Sequence, residues 1–254
     1  MGFDLDPCAF QTGILNASWS KVFLPISSMS VSRIELVIAR FHEDLSWIRE
    51  LPDIFSKIVI YNKGTPIEIE IPKSEIHTLP NLGMNGYAYL YHVINNYNNL
   101  ADVTIFTLGS AWSDSYKKRK LLETINSVIK LGTSIEVDLV TNYDVVSNEH
   151  FFFINSHQFT CNENFQINKD YNLLPCKDRP LGKWFCKHFP NEILHGVSYK
   201  SIFAASKVDI LKRDVSFYKI LFEETSYKSP EVEHYLERVW QHIFSIPIEC
   251  YINF

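Results

Sequence analysis

The chain has 254 residues, 46% of them hydrophobic and 21% charged, with a formal net charge of −5 at pH 7. That composition fills a sizeable core and excludes wholesale disorder. A mildly acidic balance without a long Lys/Arg tract excludes general binding to nucleic-acid phosphates, and no apolar run reaches the roughly 18–20 residues that cross a bilayer.

Residues 1–32 carry no strong period and read as an irregular leading segment. Their opening, MGFDLDPCAF, lacks a basic stretch ahead of an apolar one, so no signal peptide is expected. RIELVIARF (Arg33–Phe41) has the branched apolar run of a strand buried on both faces. HEDLSWIREL is helical in pattern, with Leu45, Ile48 and Leu51 on one side, and KIVIYNKG (Lys57–Gly64) is a second buried strand. Strand, short helix, strand within about 30 residues makes a βαβ unit with parallel strands.

TPIEIEIP alternates apolar and acidic residues, the mark of a short edge strand. Pro80 and Asn81 then open a helix, NLGMNGYAYLYHVINNY, with Tyr87, Leu90, Tyr91 and Ile94 at helical spacing. ADVTIFTLGSAWSD gives a third strand through Val103, Ile105 and Phe106, ended by Gly109 and Ser110. DSYKKRKLLETINSVIKLG is an amphipathic helix stopped by Gly132. SIEVDLV follows, then an aromatic-rich middle with HFFFINSHQF as a strand. SIFAASKVDILKRD, SFYKILFEETS and SPEVEHYLERVWQHIF complete the chain, the last with Ser229 as N-cap and Pro230 at N1. The expected fold is one α/β domain over residues 33–254, with a mostly parallel central sheet flanked by helices.

Such a sheet binds ligands beyond the carboxyl ends of its strands. Three ends matter here: Ala39–His42, Tyr61–Gly64 and Leu108–Ser110. Arg40 and Lys63 would give that crevice two cations suited to a diphosphate, unless Arg40 is spent on Glu43 or Asp44. The basic run Tyr116–Lys120 reads first as a solvated helix face. NLGMNG has glycines at helix-start positions, where backbone N–H groups could receive a phosphate or where a helix simply packs closely. No Gly-x-Gly-x-x-Gly fingerprint follows the first strand, and there is neither a Walker loop nor a Gly-x-Ser-x-Gly elbow.

On the last helix Glu233 and Glu237 lie four apart on one face, with Trp240 three residues on. A carboxylate held against an indole loses solvation and its pKa rises, which suits general-base work. The plainer alternative is an amphipathic helix whose glutamates face water. His234 and Arg238 read as a solvated pair. The five cysteines are odd in number and unclustered, so reduced thiols in a cytoplasmic protein are expected, with neither a disulfide framework nor a zinc site.

IELVIARFHEDLSWIREL…KIVIYNKG, LPNLGMNGYAYLYHVINNYNNLADVTIFTLGS and IFAASKVDILKRDVSFYKILFEET…EVEHYLERVWQHIF together resemble an uncharacterised domain-of-unknown-function family of fungal and large-virus genomes. Its members are labelled glycosyltransferase-like. The first blocks also resemble the nucleotide-binding half of GT-A glycosyltransferases. That resemblance implies a GT-A-like domain with residues 33–140 as nucleotide-binding half and 141–254 as acceptor-side half. It implies Arg40, Asn62 and Lys63 around the nucleotide, Asn81 and Gly83 opening the helix beside it, and Ser110 at the diphosphate. Glu237 would be the base and Glu233 the next candidate.

The chain departs from the GT-A pattern where Asp-x-Asp would hold a metal. It has Leu108-Gly109-Ser110, so no cofactor is expected, Mn or Mg has no first carboxylate there, and Asp114 is a weak substitute. Arg40, Lys63 or the Lys117–Lys120 cluster would then neutralise the departing diphosphate. The expected function is sugar transfer from a nucleoside diphosphate donor to a glycan or other hydroxyl acceptor. The alternative is a non-catalytic glycan- or nucleotide-binding module. A third reading makes the aromatic middle (Phe151–Phe153, Tyr171, Trp184, Phe185) a partner surface. Nucleic acid is not an expected partner.

Overall fold

The computed structural model describes residues 33–139, 173–179, 181–192, 194 and 196–252. Its centre is a mixed, mostly parallel five-stranded sheet in the order β3-β2-β1-β4-β6. β1 (Ile34–Arg40) pairs in parallel with β2 (Lys57–Asn62) on one side and β4 (Val103–Leu108) on the other. β2 pairs in parallel with β3 (Ser74–Thr78), which forms an exposed edge. β6 (Phe203–Ser206) runs antiparallel to β4, with Phe106 opposite Phe203. A two-stranded sheet joins β5 (Glu136–Val137) to β7 (Tyr251–Ile252).

The alternation of side chains along a strand splits the core in two. Val37, Ala39, Val59 and Tyr61 face one layer, packed by α1 (Asn85–Asn96), α3 (Leu181–His188), α5 (Val215–Thr225) and α6 (Val232–Ile243). Leu36, Ile38, Ile58 and Ile60 face the other, covered by a 3₁₀ turn at Ser46–Glu50 and by α2 (Ser115–Leu131). Because the central strands are covered on both faces, they read as near-continuous apolar runs. α4 (Lys207–Ile210) is a single turn after β6, capped by Ser206. The first layer is dominated by rings: Phe106 stacks on Phe203 at 5.1 Å and on Phe244 at 5.3 Å, and Trp240 stacks on Phe203 at 5.5 Å.

Several local expectations change. The edge strand is Ser74–Thr78, not TPIEIEIP, because Lys73 takes a left-handed φ of 61° and only the residues beyond it align with β2. HEDLSWIREL forms just one 3₁₀ turn. The helix after Pro80 begins at Asn85, since Gly83 at φ 38° turns the chain first. α6 begins at Val232, because Ser229 at φ 51° and Pro230, which bridges to Leu174, lie outside it. SIEVDLV contributes only two strand residues. HFFFINSHQF, Phe151–Phe153 and Tyr171 lie outside the described residues. Trp184 and Phe185 are core residues of α3, so they form no partner surface. Cys186 is disulfide-bonded, against the expectation of reduced thiols, whereas Cys176 and Cys250 are free. Among the described residues no helix is long and apolar enough to cross a membrane.

Phe106 meets the rings of Tyr89, His92, Phe203 and Phe244 and is fully buried. Phe106→Ala should cost about 3–5 kcal/mol, read as a lowered urea midpoint with little change in slope.

Candidate functional site

The carboxyl ends of β1, β2 and β4 converge. Arg40, buried at the end of β1, donates from Nη1 to Asn62 Oδ1 at 2.7 Å and to the Thr65 carbonyl at 2.5 Å, and from Nε to the Glu43 carbonyl at 2.8 Å. Asn62 Nδ2 reaches the same Thr65 carbonyl at 2.9 Å. Arg40 is thus spent on the loops after β1 and β2, and it meets the Glu43 backbone rather than a carboxylate. The Glu43 carboxylate instead accepts the Phe41 N–H at 2.6 Å and lies against Gly109, where a Cβ would come within 2.9 Å of it and 3.2 Å of the Arg40 side chain. Trp47 Nε1 donates to the Gly109 carbonyl at 3.1 Å. Three strand ends are therefore tied into one rim.

Ser110 follows directly. Its hydroxyl lies 3.2 Å from Lys117 Nζ, which is also 3.1 Å from the Ser113 hydroxyl and 3.5 Å from Asp114. Asp114 caps α2 by accepting the Lys117 N–H at 2.8 Å. Within the basic run, Lys117 meets the Ser110 and Ser113 hydroxyls after β4, and Lys118 Nζ stands 4.5 Å over the Trp112 ring of the same turn. Lys120 faces inward and is fully buried, which corrects the reading of the run as a solvated face.

On the opposite face of the sheet a second group forms. Lys63 Nζ donates to the carbonyls of Leu82, at 2.9 Å, and of Gly83 and Met84. Glu233, buried in the first turn of α6, accepts the N–H groups of Gly86 at 2.9 Å and Tyr87 at 3.2 Å. α1 has no side-chain cap of its own, so a carboxylate from another helix satisfies its orphan donors. The NLGMNG glycines permit this approach: a Cβ on Gly86 would sit 2.8 Å from both Glu233 oxygens. The helix start considered for a phosphate is already held by Glu233. Asn81 is exposed at the head of this turn.

Burial pushes the Glu233 carboxyl up to about 7, with Lys63 and the two N–H groups pulling it back. Burial likewise lowers the Lys63 ammonium to about 8, against the opposing pull of Glu233. The plain reading of two water-facing glutamates thus fails for Glu233. One turn on, Glu237 is a quarter exposed, accepts the Lys200 N–H at 2.7 Å and lies 3.6 Å from the Arg238 guanidinium. Arg238 is buried and donates to the His234 carbonyl, so those two are not a solvated pair. Lys200 precedes β6, whose Phe203 is opposite Phe106, so Glu237 lies toward the carboxyl end of β4. Asp114 is held low mainly by the Lys117 N–H, with Lys200 among the further charges lowering it.

Arg40 and Asn62 therefore meet directly and reach Gly109 beside Ser110, while Lys63, Gly83 and Glu233 meet on the other face. Glu237 stands between the second group and the β4 end. Sequence reasoning missed Thr65, the Ser113–Lys117 contact and the Lys200 N–H. Lys117, three residues after an Asp N-cap, had a readable signal; the other two involve backbone groups and had none. Among the described residues no group of three or more His, Cys, Asp or Glu side chains is arranged to hold a metal ion.

Glu233 gives a pH test with a definite sign. Its carboxyl binds a proton more tightly in the fold, at about 7, than at the ordinary 4.5, so its contribution to stability is full below the lower value and fades as pH rises through the upper one. Thermal unfolding of the wild type should show this decline between pH 4.5 and 7, and Glu233→Gln should flatten it.

A family model described as "Protein of unknown function (DUF3431)" matches residues 36–252. No curated protein matches the chain. The chain belongs to the DUF3431 family.

Proposed function

We propose that the chain is a glycosyltransferase-like enzyme that moves a sugar from a nucleoside diphosphate to a hydroxyl acceptor, using side-chain cations rather than a metal. The observation that carries this reading is the convergence at the carboxyl edge: three strand ends joined through Arg40, Asn62 and Gly109, with Lys117 and Glu237 on the same rim. Ligands of such sheets seat at that edge.

The chemistry assigns distinct roles. Glu237, partly exposed and fixed through one oxygen, takes the proton of the acceptor hydroxyl. The acceptor oxygen bonds to the anomeric carbon as the bond to the diphosphate breaks. The departing charge meets Lys117, the Ser110 and Ser113 hydroxyls and the positive end of α2. Arg40 and Asn62 shape this seat rather than donate to it, since internal carbonyl and amide oxygens occupy their donors, and Lys63 belongs to the turn before α1 on the other face. Glu233 holds α1 and is not the base. A cytoplasmic location belongs to the same proposal, although the disulfide at Cys186 is uncommon there.

The occupied donors of Arg40 and Lys63 favour a second reading, a non-catalytic nucleotide- or glycan-binding module. Incubation with a panel of nucleotide sugars, with and without Mn²⁺, separates the two. The transferase should release nucleoside diphosphate, and Glu237→Gln should lower turnover by about 10²–10⁴-fold while keeping nucleotide affinity. Nucleotide binding without any turnover would favour the module; absence of both binding and turnover would remove the transferase and the nucleotide-binding module, and a glycan array would then decide the glycan-binding one.

A further inference from the structure

Behind Glu237 the fold carries two costly features. Lys200 and Ser201 take left-handed φ values of 72° and 47° in succession. Non-glycine residues in that region are strained and persist only where the surroundings impose them. Beside them lies an ion pair with both side chains 0% exposed: Lys120 Nζ stands 3.0 Å from Glu136 Oε1. A buried ion pair is seldom a net source of stability compared with apolar residues of the same shape. Neither feature is explained by packing alone.

The two are joined. Lys120 Nζ also donates to the Tyr199 carbonyl at 2.9 Å, immediately before the left-handed pair. The Ser201 side is pinned by Trp240 Nε1 on its hydroxyl at 3.1 Å and by the Tyr89 hydroxyl on its carbonyl at 3.0 Å. Ser198 adds its N–H to the Arg238 carbonyl at 3.1 Å and its hydroxyl to the Glu237 carbonyl at 3.2 Å. A turn pinned from both sides aims the Lys200 N–H at Glu237 Oε1, 2.7 Å away.

We propose that Lys120 and Glu136 are positioning residues: their buried pair holds Tyr199–Ser201 in a strained turn whose Lys200 N–H fixes the carboxylate of Glu237. The role given to Glu237 in catalysis rests on the transferase reading; the positioning does not. Removing the pair lets the turn relax and withdraws the Lys200 N–H from the Glu237 carboxylate, which is then free to swing.

The test uses the full chain with Lys120→Met and Glu136→Gln together, which removes both charges while nearly keeping their volume. Amide-proton NMR follows the Lys200 N–H, whose hydrogen-bonded shift is referenced to Glu237→Ala, and hydrogen exchange follows the same amide. In the folded double variant the Lys200 amide proton should move upfield towards its position in Glu237→Ala, and the amide should exchange about tenfold faster. A folded double variant with both quantities unchanged overturns the proposal. If the double variant does not fold, Glu136→Gln alone decides, and a wild-type Lys200 amide shift and exchange rate in that variant overturn it as well. Neither readout needs a donor, so a wild-type chain without transfer activity sinks the transferase reading and leaves this one standing. Where transfer is observed, kcat should fall about tenfold with KM unchanged.

Discussion

Opposite charges hold the turn that opens α1. Lys63 takes the carbonyls on its leading side and Glu233 takes the first free N–H groups on its trailing side. Carbonyl ends of one set of peptides meet the cation and N–H ends of the next set meet the carboxylate, so each side chain orders the peptide groups that hold it. Through this clamp the end of β2, the start of α1 and the first turn of α6 hold one another at fixed distance. The position of α6, and with it Glu237, follows from the clamp.

The other half of the rim is made by close backbone approach. Gly109 lies where a side chain would strike Glu43 and Arg40, and Gly64 lies where a Cβ would stand 2.0 Å from the Phe41 carbonyl. Arg40 can bridge two loops because those loops come within reach of one guanidinium, whose planar fork satisfies several acceptors at once. The result is a carboxyl edge in which Arg40 and Lys63, which look available in the sequence, are internal ties, while Lys117 and Glu237 keep part of their side chains exposed.

The fold was legible where one period governed a long segment. β1, β2, β4 and α2 fall where apolar runs and helical spacing put them, and Gly132 ends α2 in the left-handed conformation expected of it. Boundaries set by single left-handed residues at Lys73, Gly83 and Ser229 were not legible, because the conformation at each is imposed by tertiary contacts. At the site, sequence set Arg40 and Lys63 at neighbouring strand ends as two cations of one crevice, and singled out Glu233 and Glu237 as candidate bases on one helix face. It could not tell that Glu233 caps a helix distant in the chain, since a pairing 147 residues apart leaves no local pattern. Lys120 read as a surface charge because its neighbours in the run are partly exposed and only the third dimension supplies Glu136.

The rim also contains two indoles in near-parallel overlap, Trp47 and Trp112, 4.9 Å apart and tilted by 10°. One is anchored to the Gly109 carbonyl and the other to Glu50 from within the same short helical turn as Ser110. Transitions of rings so close couple to each other, and the coupling changes steeply with separation and tilt. The protein thereby carries its own spectroscopic gauge of the β4 loop: a sub-ångström shift at Ser110 alters near-ultraviolet circular dichroism while the helices and strands keep their far-ultraviolet signal.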